Sequence, residues 1–220
     1  MSSTKIETFC HVCLWILPYL GLPLTFAAYP TPKMTEYEKD LIFQERFTKS
    51  KIVPEVIDKV PFYEAEVEFY NGTVELGNDF IIHQLWREPA EILWPIDDFG
   101  PYFSLVFLAP DHPDPAKPRF REYLLWLVVN IRGMDIEEGD VIAEYIMPPP
   151  PEKKGRQRYV FLILQQRSTG KQKIIEEYIP PCPEDDARAN FSTKSFMKKY
   201  NFHHIPAAGN FLHINWGMTV

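Results

Sequence analysis

Cysteine, basic charge and phosphate-cradling glycine motifs are what this 220-residue chain has little of. Of three cysteines, Cys10 and Cys13 fall within the first 28 residues, and no second C-x-x-C pair exists to complete a zinc site. If that segment is removed, Cys182 stays alone and the mature chain forms no internal disulfide. Its setting, "PPCPEDD", is acidic, and the sequence places no His and orienting third group beside it, so an inert thiol is expected. Lys and Arg number 23 against 30 Asp and Glu, giving a net charge of −7 without a basic stripe. A nucleic-acid partner is thereby excluded, because phosphate neutralisation needs clustered cations. There is no glycine-rich phosphate loop, no dinucleotide fingerprint and no internal repeat, so no cofactor is expected. His203-His204 with His213 lack a carboxylate or Cys at ligand spacing, and adjacent His residues seldom share an ion, so no metal is expected either.

Proline is abundant instead: 21 residues, nearly twice the usual share of ~5%. That density forbids long helices and favours strands joined by rigid loops. At 45% hydrophobic and 24% charged residues the composition is that of a folded protein with one sizeable core. Residues 1–28 read as a secretory signal peptide, with an apolar run from Phe9 to Ala28 and small residues Ala27 and Ala28 at its end. The alternative is an uncleaved membrane anchor, since the run approaches the ~20 residues of a spanning helix, although Pro18 and Pro23 weaken it. With cleavage the protein is secreted and has no integral membrane span. Asn71-Gly72-Thr73 and Asn190-Phe191-Ser192 satisfy the glycosylation pattern, making Asn71 and Asn190 candidate acceptors.

Residues 29–47 open with prolines and continue with charges, as a linker running into a short helical turn does; residues 48–220 then form one domain. "YEAEVEFYNGTVEL" (63–76) alternates Ala65, Val67 and Phe69 with Glu64, Glu66 and Glu68, and Asn71-Gly72 is the dipeptide a type I′ hairpin turn prefers. "EILWPID", "YFSLVFLAP", "DVIAEYI" and "RQRYVFLILQQ" are short apolar runs suited to strands, and "APDHPDPAKP" (109–118) is a rigid proline loop. In "REYLLWLVVNIRG" (121–133) seven apolar residues precede the first polar one, Asn130, as in a strand buried on both faces. "SFMKKYNF" (195–202) has the spacing of a short surface helix. These signals predict a mostly β fold, an antiparallel β-sandwich with a few short peripheral helices.

The ordered motifs "LVFLAPDHP", "FREYLLWLVVNI", "YIMPPPP" and "GRQRYVFLILQQ", with "VIDKVP", "SFMKKY" and "IPAAGNF", resemble the phosphatidylethanolamine-binding protein family over residues 51–216. The resemblance implies a small pocket for a phosphate or phosphoryl headgroup, built from an Asp in an Asp-Pro-Asp-x-Pro loop, a His on the "LVVNI" strand and a His before Arg-Tyr-Val. Imidazoles donate hydrogen bonds to phosphate oxygens and carry charge near neutral pH, and the acid orients them.

Residue by residue, that pocket is largely missing. The first loop Asp corresponds to Ala109, while Pro110, Asp111 and Pro113 match. The strand His corresponds to Leu125, beside Leu124, and the second His to Gln157, while Arg158 and Tyr159 are retained. Met147 stands where the family usually has Gly before its prolines. The chain ends four residues after Trp216, so the C-terminal helix that flanks the pocket in animal relatives is expected to be absent. The pocket candidates are therefore Ala109, Pro110, Asp111, Leu125, Gln157 and Tyr159. An anion facing Leu125 and Gln157 forfeits several kcal/mol, and one neutral Gln hydrogen bond returns roughly 1 kcal/mol.

Among these residues Tyr159 either lines the pocket or packs as a structural aromatic, Arg158 pairs with Asp111 or stays solvated, and His112 either lies apart from Asp111 or turns into the vacated pocket. No complete acid–base or nucleophilic set is recoverable, so no enzyme is expected. Two functions stay open. One is a monomeric, non-catalytic binding protein, with headgroup binding weak or lost, that takes a small neutral or lipid-like ligand. The other is a ligand-free protein-interaction module, a protease or kinase inhibitor, acting on a protein partner.

Overall fold

The computed structural model describes residues 34–96, 100–182 and 186–217. The chain divides into Met1–Thr35 and Glu36–Val220, and only the second unit is considered below. The segment read as a signal peptide lies outside the described residues.

Two helical segments lead in, α1 (Glu36–Lys49) and α2 (Ile52–Glu55). Where the sequence pattern predicts only a short helical turn, α1 runs for 14 residues, with acidic side chains in its first turn and basic ones in its last, both favourable to the helix dipole. Phe43 and Phe47, four apart, give it a narrow buried stripe. The strands are β1 (Tyr63–Glu64), β2 (Glu66–Phe69), β3 (Gly72–Thr73), β4 (Asp79–Phe80), β5 (Glu91–Leu93), β6 (Tyr102–Ala109), β7 (Tyr123–Arg132), β8 (Asp140–Ala143), β9 (Arg156–Gln165) and β10 (Ala208–Asn215), with helix α3 (Thr193–Lys199) before the last.

Seven strands form a sheet in the order β1-β10-β9-β6-β7-β8, with β4 also on the edge of β10; β3-β2-β5 form a second sheet. All pairs are antiparallel except β1 and β4 with β10, two short parallel additions that the sequence pattern does not announce. The sheets pack face to face: Val67, Phe69 and Ile92 of the small sheet, with Ala65 just before β2, share one core with Phe107, Leu125, Phe161 and Leu212 of the large one. The other face of the large sheet packs Val106, Leu108, Leu124 and Leu162 against Phe47, Ile52 and Phe196 of the helical segments. Covered on both sides, β6, β7 and β9 are apolar along almost their whole length, which is why "YLLWLVV" carries no alternation. The architecture is a mostly β sandwich with a helical layer on its outer face.

The hairpin around Asn71 differs from the I′ expectation. Phe69 pairs with Gly72, so the two-residue loop is Tyr70-Asn71 and Gly72 already belongs to β3. The cross-strand register and the burial of Val67 and Phe69 place this pair, with Gln84 donating to the Asn71 carbonyl. The predicted helix over 195–202 begins earlier, at Thr193, because Ser192 caps it by accepting a hydrogen bond from the Ser195 N–H at 3.3 Å.

Candidate functional site

Leu125 is set by a β-bulge. Phe107 of β6 lies opposite Trp126, and the next residue, Leu108, lies opposite Leu124, leaving Leu125 as the extra residue of β7. The bulge breaks the period of two, so Leu125 and Trp126 both enter the core between the sheets while Leu124 and Leu127 face the helices. Its backbone is held from outside: the Ile146 N–H donates to the Leu125 carbonyl at 3.0 Å. The guanidinium of Arg188, itself fully buried, donates to the carbonyls of Leu124 at 3.2 Å, Glu144 at 2.9 Å and Pro180 at 2.6 Å. A cation surrounded by carbonyl dipoles stays hydrogen-bonded in the interior, and here it ties Glu144 and Pro180 to the bulge.

Ala109 closes β6, and Gln157 and Tyr159 stand two apart on β9. With Leu125 they are at most 1% exposed. All four side chains are uncharged. The Tyr159 hydroxyl accepts from the Trp216 indole N–H at 2.9 Å and donates to the Gln157 Oε1 at 3.4 Å, while the Gln157 amide nitrogen is buried with no hydrogen-bond partner among the described residues. Burial pushes the Tyr159 phenol well above its ordinary pKa, an effect the Trp216 hydrogen bond only moderates, so it remains a neutral donor. This cluster has neutral hydrogen-bonding capacity and no charge with which to hold an oxyanion.

Asp111 is not part of that cluster. Its carboxylate turns to the other face of the sheet, where Oδ2 accepts from the backbone N–H and Nε of Arg158, both at 2.9 Å, and Oδ1 from Nη2 at 2.5 Å. Arg158 also donates to Glu55 at 2.8 Å and to the Ser50 carbonyl at 2.6 Å. Of the two options for Arg158, the ion pair is the one present. Burial opposes the Arg158 charge, yet the Asp111 and Glu55 contacts outweigh it and raise its pKa. Pro110 contributes a carbonyl that accepts from Arg121 Nε at 2.7 Å.

Among the described residues His112 makes no hydrogen bond or ion pair with its neighbour Asp111, whose carboxylate is taken by Arg158, so the two form no dyad. Its ring centroid lies 4.5 Å from that of Tyr123 and 6.0 Å from that of Phe120, and burial lowers its pKa.

A cleft of about 530 Å³ opens beside the bulge, lined by Tyr145, Ile146, Met147, Pro148, Pro149, Pro150 and Pro181. Ile146 is the residue bonded to the Leu125 carbonyl, and the Tyr145 ring stacks on Phe107 at 6.0 Å, itself 6.4 Å from Tyr159. The sequence reading did not single out Trp216, Tyr145 or Arg188. For Trp216 a signal existed: Leu212 and Ile214 face the inter-sheet core, and two residues further along the same period comes Trp216. No motif marks Arg188, whose guanidinium reaches the carbonyls of Leu124 and Glu144, far back in the sequence, as well as those of Pro180 and Cys182 nearby.

Asn71 and Asn190 are both exposed. Among the described residues no group of three or more His, Cys, Asp and Glu side chains is placed to hold a metal ion, and no helix is long and apolar enough to cross a membrane.

A family model described as phosphatidylethanolamine-binding protein matches residues 95–210. A Drosophila melanogaster protein named "Putative odorant-binding protein A5" is 30% identical over 167 residues, 76% of this chain and 77% of that one. Carboxypeptidase Y inhibitor, solved in complex with its cognate proteinase, superposes with a TM-score of 0.67 at 18% identity, covering 80% of this chain and 95% of the inhibitor. A phosphatidylethanolamine-binding protein from Plasmodium vivax superposes at 0.62 with 20% identity, covering 78% and 96%. At those identities the two structures speak for the fold, whereas the family model, spanning more than half of the chain, and the Drosophila relative speak for descent. The chain belongs to the phosphatidylethanolamine-binding protein family.

Proposed function

We propose that this family member is a secreted, non-catalytic binding protein whose inter-sheet site has exchanged phosphate-headgroup recognition for a small neutral, largely apolar or lipid-like ligand. The observation that carries the reading is the absence of charge. Every residue lining the cleft beside Leu125 is uncharged, as are Ala109, Leu125, Gln157 and Tyr159 behind it. Sites for small apolar molecules are mostly apolar concavities of about 300–1,000 Å³ with a few polar anchors. The cleft of about 530 Å³ falls in that range. The unpaired Gln157 amide and the Tyr159 hydroxyl are the polar groups nearest to serving as anchors. The name of the Drosophila relative supports the same ligand class.

The test uses a neutral fluorophore, N-phenyl-1-naphthylamine, titrated into the full chain. Saturable binding, weakened by Met147→Glu, is the expected result; Met147 is 41% exposed, so the charge is introduced without disturbing the core. No binding, or binding indifferent to Met147→Glu, would refute the reading and favour the ligand-free inhibitor. Secretion is checked by N-terminal sequencing of the mature protein, and an intact Met1 would remove it. Glycosylation at Asn71 and Asn190 is checked by the mass lost on amidase treatment.

A further inference from the structure

On the face of the sheet opposite Leu125 lies a larger cleft, of about 780 Å³, between the end of α1, the start of β9 and the later part of β10. Six cationic side chains line it: Arg46, Lys49, Lys51, Arg121, Arg156 and Arg158. Only three carboxylates do, Glu45, Glu55 and Asp111, in a chain whose net charge is −7. An excess of cations concentrated in one concavity of an acidic protein sets up a local positive field that the rest of the molecule opposes. We propose that this cleft is a second ligand site, for a small organic anion carrying a phosphate or sulfate group.

The site is built in two tiers. Arg158 forms its floor and is fully occupied by Asp111, Glu55 and the Ser50 carbonyl. Arg121 is anchored through Nε on the Pro110 carbonyl, while its Nη atoms lie 3.4 Å from Glu55 and 3.5 Å from Asp111, beyond good hydrogen-bond length. Both contacts are ion pairs, but long ones, so the Arg121 guanidinium is less tightly committed than that of Arg158. At the rim, neither Arg46 nor Lys51 makes an ion pair among the described residues, although Lys49 is held by Glu45. His213 adds a directional group. Its Nδ1 lies 2.9 Å from the Gly77 carbonyl, so that nitrogen donates and, in the neutral ring that burial favours, Nε2 is an acceptor suited to a hydroxyl of the organic part or of a protonated phosphate rather than to an oxyanion. Ile42, Leu76 and Phe211 supply apolar wall for the organic part of the ligand.

Gln157 and Arg158 are successive residues of β9 and point to opposite faces, so the sheet separates this cleft from the neutral site. Two ligands of different chemistry are thereby addressed on two faces of one sheet.

Inorganic phosphate is titrated at low ionic strength and followed by amide and Arg side-chain chemical shifts. Saturable shifts are expected at Lys51, Leu76, Arg121 and His213, and none at Leu125, Gln157 or Tyr159. The double variant Arg46→Gln, Lys51→Asn should bind roughly tenfold more weakly, as loss of two exposed charge contacts implies. It should keep the parent melting temperature, because Lys51 adopts a left-handed φ of 58° that Asn accepts. Sedimentation with phosphatidylcholine vesicles containing phosphatidic acid separates the sources of the group. Co-sedimentation abolished in the double variant identifies a lipid headgroup, and its absence beside retained phosphate shifts identifies a soluble ligand. No saturable shift with either probe, or shifts unchanged in the double variant, would overturn the proposal.

Discussion

Glu122 immediately precedes β7, the strand that carries Leu125, and its titration is expected to govern how stability varies with pH. The side chain is 4% exposed and accepts from the Thr193 N–H at 2.9 Å and from the Thr193 hydroxyl at 2.5 Å, tying β7 to the start of α3. Burial pushes its carboxyl from 4.5 up to about 7, with the Thr193 hydrogen bonds pulling the other way. The folded state therefore binds the proton more tightly than the unfolded chain. The contribution is fully present below pH 4.5 and is lost as pH rises towards 7. At 1.36 kcal/mol per pKa unit the loss amounts to about 3 kcal/mol, a large part of the ~5–15 kcal/mol that holds a domain together.

Glu122→Gln mimics the protonated form, keeping the acceptor for Thr193 while removing the charge. Urea denaturation at pH 5 and pH 8 should show the parent weaker at pH 8 than the variant, with the two converging at pH 5. A variant less stable than the parent at pH 8 would refute the reasoning, because the charged hydrogen bonds to Thr193 would then outweigh the cost of burial.

Other perturbations probe the site itself. Gln157→Met removes a buried amide whose nitrogen has no partner among the described residues and should stabilise the protein by about 1 kcal/mol, read by urea denaturation; a loss would mean that the long Tyr159 hydroxyl contact to Gln157 Oε1 outweighs the unpaired nitrogen. Asp111→Ala should cost about 3 kcal/mol, since it strands the mostly buried Arg158 with Glu55 alone. Adding Arg158→Met should recover part of that loss, and a double-mutant cycle giving no coupling would contradict the ion-pair assignment.

The parts legible in the sequence are those in which local pattern and tertiary burial agree. The alternation at Ala65, Val67 and Phe69 announces a strand with one buried face, and the unbroken runs of β6, β7 and β9 announce strands covered on both. The helix α1 outruns its sequence signal because only Phe43 and Phe47 of its apolar residues are buried, while Tyr37 and Leu41 face outward. The hairpin register departs from the local signal because the pairing of Phe69 with Gly72 overrides the turn preference of Asn71-Gly72. At the site, the neutral character of Ala109, Leu125 and Gln157 was visible by resemblance. The separation of Asp111 from them was not, since it depends on which side of the sheet a loop residue turns to. The bulge at Leu125 was equally hidden: in an all-apolar strand, one extra residue leaves no trace in the hydropathy pattern.

The central claim, that the Leu125 face has lost its anion chemistry, is tested most directly by titrating phosphorylethanolamine into the parent and into Leu125→His, Gln157→His. Shifts are read only at residues 109, 125, 157 and 159, so that binding in the opposite cleft is not counted. The account predicts no saturable response at these residues in the parent and a new one in the double variant. Sub-millimolar saturation at Leu125, Gln157 and Tyr159 in the parent would contradict it.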